Sequence, residues 1–285
     1  MKLPNFIIGG VMKSGTTFLH NLLINHPEIK MIERNMDHAY FDDDRIYIRG
    51  DNWYENLFNQ VSHYKGEFTI GQTSADCAFN PKSVDRILRY NQNTKLIFVL
   101  RHPIDRAYSL YWHQYSMARE HRRFESAISR EARRINKSYY NFKNFSYIER
   151  SRYKKQFDCI LDRVPPENIL MLDFISLTQN TKDSINAILR FLNVSEVSDK
   201  EDLDFSNLPK NSARIPLNLL IVKLSAALQF LGLIGLGRRL VNMFSYEKRP
   251  MKMASKTRDF LEVELSEDIV FYNTIRDDFS KKLKI

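Results

Sequence analysis

The chain has 285 residues, of which 43% are hydrophobic and 27% are charged, a balance typical of a globular protein rather than a disordered one. The net charge of +9 favours contact with anions such as a cofactor, an acidic glycan or a membrane surface, although solubility alone would also explain it. Two cysteines, Cys77 and Cys159, exclude a disulfide framework and lack metal-ligand spacing, and no nucleic-acid-binding motif is present.

The first residues, Met1-Lys2-Leu3-Pro4, lead directly into an apolar segment. They resemble neither a secretory signal nor an N-terminal membrane anchor. No Pro/Gly/Ser-rich linker divides the chain, which favours a single domain over residues 1–285 with a variable apolar helical segment at about 215–240.

A strand, a glycine-bearing loop and a helix are predicted at the start of the chain. The short apolar run Phe6-Ile7-Ile8 is typical of a buried strand, and a loop with Gly9, Gly10 and Gly15 follows it. Apolar residues then recur at helical spacing, at Phe18, Leu19, Leu22 and Leu23. This order predicts a phosphate cradle, because backbone N–H groups and the positive end of the helix face an anion.

The cradle differs from that of the nucleoside triphosphatases. A Walker A loop reads G-x-x-x-x-G-K-[ST], whereas Thr16 follows Gly15 here and the lysine, Lys13, lies inside the loop. This order suits one phosphate that carries a further group, held by Lys13, the loop amides and the hydroxyls of Ser14, Thr16 and Thr17. It leaves no obvious ligand for a metal.

The string Lys13-Ser14-Gly15-Thr16-Thr17 resembles the 5′-phosphosulfate loop of the sulfotransferases that use 3′-phosphoadenosine-5′-phosphosulfate (PAPS). The alternative is a chance Gly-Thr turn before a helix. The heparan sulfate type of this family has an acidic stretch at this distance past the loop, ending in two aromatics and an aspartate. Alignment on Tyr40-Phe41-Asp42 places the family's catalytic base at Asp37.

Other groups near Asp37 remain open as the base. Glu33 is the rival if the loop carries an insertion, and His38 is a further candidate, although a lone histidine is more often structural. Either carboxylate could take a proton from the acceptor hydroxyl if desolvation raises the pKa of that carboxylate. The alternative is that Glu33 and Asp37 are both solvated charges of a loop.

The next segments also resemble the family, with one departure. Gly50-Asp51-Asn52-Trp53-Tyr54 resembles its Gly-x-x-Trp-Tyr, in which Trp53 and Tyr54 are expected to pack. Residues 68–74 predict a strand ending at the carboxyl edge of the sheet, where ligands collect. The family's Gly-Glu-Lys-[ST]-Pro is replaced there by residues 71–75, Gly-Gln-Thr-Ser-Ala, so the second lysine is missing and its charge-stabilising role is in doubt.

A second motif occupies residues 95–113. An apolar run predicts a central strand with Arg101 at its carboxyl end, Pro103 suits the first turn of a helix, and Ser109 lies two turns along. This resembles the family's 3′-phosphate site, Leu-Arg-x-Pro-x-x-Arg-Ala-x-Ser-x-Tyr. Arg101 would hold the phosphate bidentately and Ser109 would add a donor, while Arg106 is expected to be a structural ion-pair partner.

The middle of the chain is basic and weakly patterned. Residues 119–146 predict a surface helix and loop, either a solvated face or a landing surface for an acidic acceptor. A helix is expected over 147–162, where Tyr153 stands at the family's cofactor-side tyrosine. A strand over 169–172 and a helix ending near Asn193 follow, with Asn193 in a left-handed position usually held by glycine.

The last part of the chain is the least familiar. We expect a loop over 207–214 and an apolar segment over 217–237 that packs internally, lies in a membrane interface or, less favoured, spans a membrane. A basic loop over 246–251 and closing helices over 255–265 and 267–283 resemble the family's end.

Together these resemblances imply an α/β, P-loop NTPase-like three-layer fold with a central parallel sheet. They imply in-line transfer of a sulfonate group from PAPS, with PAP as product and no metal, to a hydroxyl of a saccharide or glycolipid, without nucleic acid as partner. Lys13 would stabilise charge on the leaving phosphate. Relative to the anchored Golgi members of the family, the first residues imply a cytoplasmic, bacterial enzyme unless a preceding segment is missing. The alternatives are a P-loop kinase or NTPase and a catalytically degenerate module that binds glycans or membranes.

Overall fold

The computed structural model describes residues 4–32, 39–58, 69–117, 119–197, 213–216, 221, 224–225, 227–228, 231–243, 245–248 and 252–283. The described chain divides into two compact units. The first comprises Met1–His102, Tyr153–Pro209 and Glu267–Ile285, and the second comprises Pro103–Arg152 and Lys210–Ser266. The prediction of a single sulfotransferase domain stays a prediction.

The strands of the described chain are β1 Phe6–Gly10, β2 Ile29–Met31, β3 Thr69–Thr73, β4 Lys95–Leu100, β5 Ile169–Asp173, β6 Ala213–Pro216 and β7 Ser245–Lys248. The helices are α1 Thr16–Leu23, α2 Asp44–Tyr47, α3 Asp51–Asn56, α4 Pro81–Tyr90, α5 Pro103–Ser116, α6 Phe124–Ser129, α7 Glu131–Ile135, α8 Tyr139–Phe145, α9 Tyr153–Leu161, α10 Phe174–Gln179, α11 Thr181–Leu192, α12 Ile234–Met243, α13 Ser255–Glu264 and α14 Ser266–Lys282. Short 3₁₀ turns cover Glu149–Ser151 and Pro166–Asn168.

A five-stranded parallel sheet forms the centre of the first unit, in the order β2-β3-β1-β4-β5. β1 is the middle strand, with Phe6 opposite Gly71 of β3 on one side and Lys95 of β4 on the other. Because all strands run the same way, the loops after β1, β3, β4 and β5 leave the same edge of the sheet. The predicted α/β class with a central parallel sheet is confirmed.

Both faces of this sheet are buried, which makes three layers. Alternate residues of a strand point to opposite faces, so Ile7 and Phe98 lie in one apolar cluster and Ile8 and Ile97 lie in the other. Burial on both faces explains why the strands read as continuous apolar runs instead of alternating ones.

The second unit is organised around α5. Arg106 of this helix is fully buried, and its Nε donates to the Ser151 hydroxyl at 2.8 Å while the guanidinium also donates to the Tyr147 carbonyl. The Ser151 hydroxyl donates in turn to the Pro103 carbonyl at 2.8 Å. Arg106 is therefore structural, as expected, but these bonds go to neutral acceptors; its charge acts on the nearby buried carboxyl of Glu131.

Two segments differ from the sequence-based expectation. The helix expected over 147–162 is divided into a 3₁₀ turn and α9, because Arg152 adopts φ −76° and ψ 71° and so leaves the helical region. Parts of the expected loops at 207–214 and 246–251 pair as an antiparallel ladder, with Ala213 opposite Lys248. Pairing between segments so distant in sequence leaves no local signal. Among the described residues, no helix is both long and apolar enough to cross a membrane.

Gly71 of β3 leaves no room for a side chain. A Cβ there would lie 2.1 Å from Cζ of Phe6 and 2.6 Å from Sδ of Met31. We expect Gly71→Ala to lower the free energy of unfolding by about 1–3 kcal/mol, the usual cost of overpacking a core. Urea titration followed by circular dichroism measures this change.

The matched control is Gly235→Ala in α12. A Cβ at Gly235 meets no described atom within 4 Å, and alanine is the better helix former, so stability should be unchanged or slightly higher. Equal urea midpoints for the two variants would show that Phe6 and Met31 yield to the added methyl group.

Candidate functional site

The loop between β1 and α1 contains two residues in the left-handed region. Lys13 has φ 76° and Gly15 has φ 91°. The loop is tied to the sheet because the Val11 N–H donates to the Val99 carbonyl at 2.9 Å, and it closes on itself because the Ser14 N–H donates to the Val11 carbonyl at 3.1 Å. α1 therefore begins directly above the carboxyl edge of the central strand.

The first turn of α1 offers donors that the protein does not use. Gly15 is the N-cap and provides no side-chain cap. The N–H groups of Thr16 and Thr17 have no acceptor among the described residues, as expected for the first turn of a helix. The Ser14 hydroxyl is fully buried and also lacks a hydrogen-bond partner in the described part of the chain. Buried polar atoms are seldom left unpaired, so these groups indicate a place for an anionic ligand.

Arg101 lies at the end of β4, beside this loop. Its Nη1 lies 3.5 Å from the Lys13 carbonyl, to which it donates, and its guanidinium carbon lies 5.0 Å above the Phe174 ring centroid. The Arg101 carbonyl accepts a hydrogen bond of 2.9 Å from the Tyr153 hydroxyl. The Arg101 guanidinium therefore lies between the β1–α1 loop and the Phe174 ring.

Phe174 is a site residue that the sequence analysis did not identify. Besides lying under Arg101, it closes the space at Gly15, where a Cβ would lie 2.9 Å from Cδ2 of Phe174. Asp173 holds the start of α10 in place, since its Oδ1 accepts from Ile175 N–H at 2.8 Å. An aromatic residue directly after a buried strand was the available signal.

The two remaining cofactor-site predictions are placed differently. Tyr153 is fully buried and its hydroxyl donates to the Arg101 carbonyl, and its contact with the cofactor stays a prediction. Ser109 lies on α5, within the second unit, with a partly exposed side chain. Its contact with a 3′-phosphate stays a prediction.

A histidine–threonine pair lies where the family's second lysine is missing. Nδ1 of His20, on α1, lies 3.0 Å from the Thr73 hydroxyl, at the end of β3. Thr73 is opposite Ile8 of β1, so it lies next to the strand that precedes the β1–α1 loop. His20 is almost fully buried. The sequence analysis missed this pair, because the partners are separated by 53 positions.

The segment after the candidate bases is firmly anchored. The buried carboxylate of Asp42 accepts a hydrogen bond from the Ser74 hydroxyl, and the Asp42 carbonyl accepts from Asn80 Nδ2 at 2.6 Å. Tyr40 stacks on Tyr54 with ring centroids 4.4 Å apart. Burial of Tyr54 raises the pKa of its phenol, and that hydroxyl donates to the Gln72 side chain.

The candidate bases themselves, Glu33, Asp37 and His38, lie outside the described residues. Their assignment therefore stays a prediction. Within the described ranges, no group of three or more His, Cys, Asp or Glu residues could hold a metal ion.

Comparison with known proteins identifies the family. A family model described as a sulfotransferase domain matches residues 3–217. The chain is similar to the membrane-associated sulfotransferase kil1 of Dictyostelium discoideum, with 38% identity over 109 residues, covering 38% of this chain and 22% of that protein. It is also similar to heparan sulfate glucosamine 3-O-sulfotransferase 5 of Mus musculus, with 26% identity over 207 residues, covering 68% of this chain and 54% of that protein.

Among solved structures, a sulfotransferase from Alicyclobacillus acidocaldarius superposes with a TM-score of 0.62 at 24% identity, covering 84% of this chain and 97% of that one. This likeness confirms the P-loop NTPase-like fold expected from the sequence. The alignments with curated relatives span between 13% and 54% of the length of those proteins. Because the family model covers most of the chain, the chain belongs to the sulfotransferase family.

Proposed function

We propose that this protein transfers a sulfonate group from PAPS to a hydroxyl group of a saccharide or glycolipid. The single observation that supports this most is the buried, unpartnered Ser14 hydroxyl beside two unused N–H groups at the start of α1. A phosphate of the donor nucleotide would complete these hydrogen bonds. When bound, PAPS supplies the sulfonate on its 5′-phosphate and a separate phosphate at the 3′ position.

The residues of the loop would hold the 5′ end of the nucleotide. Lys13, Ser14, Thr16 and Thr17 provide an ammonium group, hydroxyls and N–H donors at one helix end, where negative charge is stabilised. Lys13 would act most strongly when charge develops on the phosphate oxygen that separates from sulfur. The fixed orientation of these donors lowers the barrier without later rearrangement.

Arg101 would select the nucleotide. Its guanidinium is fixed by the Lys13 carbonyl and the Phe174 ring, and a planar fork suits bidentate recognition of a phosphate. Ser109 is proposed as the second donor to the same 3′-phosphate. Together these residues would distinguish PAP and PAPS from ATP, which has no 3′-phosphate.

A carboxylate would remove the proton of the acceptor hydroxyl. Asp37 is the proposed base, Glu33 is the rival, and His38 follows them. This order rests on the alignment of Tyr40-Phe41-Asp42 with the family, and the described contacts of Tyr40 and Asp42 anchor that aligned segment.

A saccharide acceptor is supported by the names of the relatives, several of which act on heparan sulfate. The competing class, a P-loop kinase or NTPase, would need the Walker lysine that Thr16 replaces. A degenerate module that only binds glycans or membranes is the other alternative, since Thr73 replaces the family's second lysine.

We also propose that the protein contacts membranes peripherally through the second unit. Residues 221–256 contain seven basic residues and one acidic residue. Within this range Leu231, Leu233, Leu236 and Met243 are exposed, Leu231 to 71% and Met243 to 75%. Apolar side chains next to basic ones favour insertion into an anionic lipid interface. One of the relatives is named as membrane-associated, which supports the same idea.

The first prediction on function concerns nucleotide choice. We expect PAP to bind in the low micromolar range or better, with or without EDTA, and to bind more tightly than ATP with Mg²⁺. Arg101→Ala should weaken PAP binding by about 2–3 kcal/mol, the range for a charge-assisted contact. Calorimetric titration measures both values.

The control is Arg163→Ala, which removes an exposed arginine of the first unit and should leave PAP affinity unchanged. A preference for ATP with Mg²⁺, or equal losses in the two arginine variants, would contradict the assignment of Arg101.

The next prediction separates turnover from binding. Lys13→Ala and Asp37→Asn should both reduce sulfonate transfer, for Asp37→Asn by roughly 10²-fold or more, the usual worth of general-base catalysis. Asp37→Asn should leave PAP affinity unchanged, and Lys13→Ala should lose more in turnover than in PAP affinity, since its charge matters most in the transition state. Glu33→Gln should be mild. Release of PAP with a panel of saccharide acceptors measures transfer.

The activities of the Glu33→Gln and Asp37→Asn variants together identify the base. If Glu33→Gln is inactive and Asp37→Asn is active, the loop carries an insertion and Glu33 is the base. If both variants remain active, neither carboxylate is the base and His38 becomes the next candidate. Unchanged kcat in Lys13→Ala would remove Lys13 from the mechanism.

Membrane contact predicts sedimentation with vesicles of phosphatidylserine and phosphatidylcholine. Leu231→Ser with Leu233→Ser should reduce the partition coefficient at least about tenfold, because both apolar side chains leave the interface. The control pair Ile48→Ser with Val263→Ser removes side chains of comparable exposure, 81% and 79%, from outside this range. Equal partitioning of both double variants would argue against the contact.

A further inference from the structure

In residues 119–146, most of the acidic side chains are buried and several basic side chains are exposed. This stretch contains eight Lys and Arg residues and three Glu residues. Two of the glutamates are buried, Glu120 and Glu131. The third, Glu125, is exposed and accepts a hydrogen bond from the Thr257 hydroxyl at 3.3 Å. Most of the negative charge is therefore withdrawn from the surface.

The two buried carboxylates are occupied by internal partners. Glu120 Oε2 accepts from Arg134 Nη1 at 2.5 Å and from the Tyr147 hydroxyl at 2.9 Å. Glu131 accepts from the N–H groups of Ile148 at 2.7 Å and Glu149 at 2.8 Å. Burial raises the pKa of Glu131 to about 7, so part of its charge is absent near neutral pH.

Some of the cations are used in the same internal network. Arg134 pairs with Glu120 and lies 4.0 Å above the Phe145 ring centroid. Arg119 Nη1 donates to Asn144 Oδ1 at 3.2 Å. The remaining cations include the set that we call the basic row, which is Arg123, Arg130, Arg133 and Lys137. All four are exposed, and none has a carboxylate within 4.0 Å among the described residues.

Three members of the basic row lie in or next to α7. Arg130 directly precedes this short helix, Arg133 lies within it, and Lys137 lies in the turn at its end. They are three and four positions apart, the spacing that places side chains on one side of a helical turn. The turn is continuous, because Arg134 N–H donates to the Arg130 carbonyl at 3.0 Å and Lys137 N–H donates to the Arg134 carbonyl at 3.1 Å.

Two exposed aromatic residues follow this row in the sequence. Tyr139 and Tyr140, at the start of α8, are exposed to 46% and 54% and are the large exposed hydrophobic residues of this stretch. Asn141 Nδ2 donates to the Arg134 carbonyl at 3.1 Å, which ties α8 to α7. An exposed ring with a polar edge can pack against a sugar ring and still keep its hydroxyl in water.

We propose that the basic row and the two tyrosines bind an acidic polysaccharide, one carrying carboxylate or sulfate groups along its length. A line of unpaired cations matches repeated anionic groups better than a single phosphate, and the aromatic rings suit the sugar faces between them. A membrane is disfavoured here, because interfacial insertion uses exposed aliphatic side chains next to the cations, and this stretch exposes tyrosines instead. The proposal rests on the proposed function, in which a saccharide is the acceptor.

Binding of heparin, followed by calorimetry at moderate salt, tests the proposal on the full chain. Arg130→Ser/Arg133→Ser/Lys137→Ser should bind heparin at least about tenfold more weakly, and Tyr139→Ser/Tyr140→Ser should also bind more weakly, since both the cations and the rings contribute. Lys155→Ser/Lys281→Ser/Lys282→Ser removes the same charge from exposed positions elsewhere and should retain wild-type affinity. Neutral dextran should not bind.

Several outcomes would overturn the proposal. One is an equal loss of heparin affinity in the Lys155/Lys281/Lys282 control, and another is binding of duplex DNA or of phosphatidylserine vesicles through the row with the affinity of heparin. Thermal melting confirms that each variant folds, and Arg133→Ser/Lys137→Ser replaces the triple variant if the latter does not.

PAP titration of the same variants separates this proposal from the proposed function. If PAP does not bind but heparin affinity depends on the row, the nucleotide assignment fails and the saccharide surface stands. If PAP binds normally and heparin affinity does not depend on the row, the surface proposal fails alone.

Discussion

The backbone turn at Lys13 and Gly15 is the constraint on which the candidate site depends. Two residues with positive φ reverse the chain between β1 and α1, and the helix can then start above the middle strand. Glycine adopts this conformation without cost, whereas lysine does so only where surrounding contacts compensate for the strain. The hydrogen bond from the Ser14 N–H to the Val11 carbonyl at 3.1 Å, which closes the loop around Lys13, is one such contact. The same turn gathers the helix N–H groups and the Ser14 hydroxyl at one point.

The order of strands in the sheet explains why distant segments meet at this loop. β1 lies between β3 and β4, and β5 lies beyond β4, so each of these strands delivers its next residues to the same edge. Arg101 directly follows β4, Phe174 directly follows β5, and Thr73 is the last residue of β3. Phe174 then serves two partners at once, since it lies below Arg101 and fills the space beside Gly15. A single aromatic ring thus couples the position of the loop to that of the arginine.

The sequence predicted the parts of the site that local patterns encode. The loop at residues 9–17, the position of Arg101 after an apolar run, and the αL residue Asn193, with φ 59°, all follow from short-range rules on strands, turns and caps. It did not predict the pairing of His20 with Thr73, the place of Phe174, or the β6–β7 ladder. Each of these depends on contacts between segments far apart in the chain, for which a single sequence holds no local signal.

The burial of Glu120 and Glu131 in the basic stretch, residues 119–146, was also not predictable from the sequence. The sequence shows only an excess of cations over residues 119–146, which is compatible with a solvated face. Glu120 and Glu131 are buried, where Glu120 accepts from the Arg134 guanidinium and Glu131 accepts from the backbone N–H group of Ile148. Within residues 119–146, the exposed Lys, Arg and Glu residues are therefore Arg123, Arg130, Arg133 and Lys137 together with Glu125.

Under the proposed function, Thr73 stands where the family has a second lysine, so other groups must stabilise the charge that develops on the phosphate. A hydroxyl can donate one hydrogen bond but carries no charge, so it cannot replace an ammonium group beside a developing phosphate anion. Nδ1 of His20 lies 3.0 Å from the Thr73 hydroxyl, so an imidazole ring contacts the last residue of β3. Under the proposed function, Lys13 and the N–H groups of α1 would therefore supply the stabilisation. The positions of Lys13 and of these N–H groups would then matter most for catalysis, because preorganised donors stabilise developing charge without rearrangement. Nη1 of Arg101, 3.5 Å from the Lys13 carbonyl, contacts the loop that carries them.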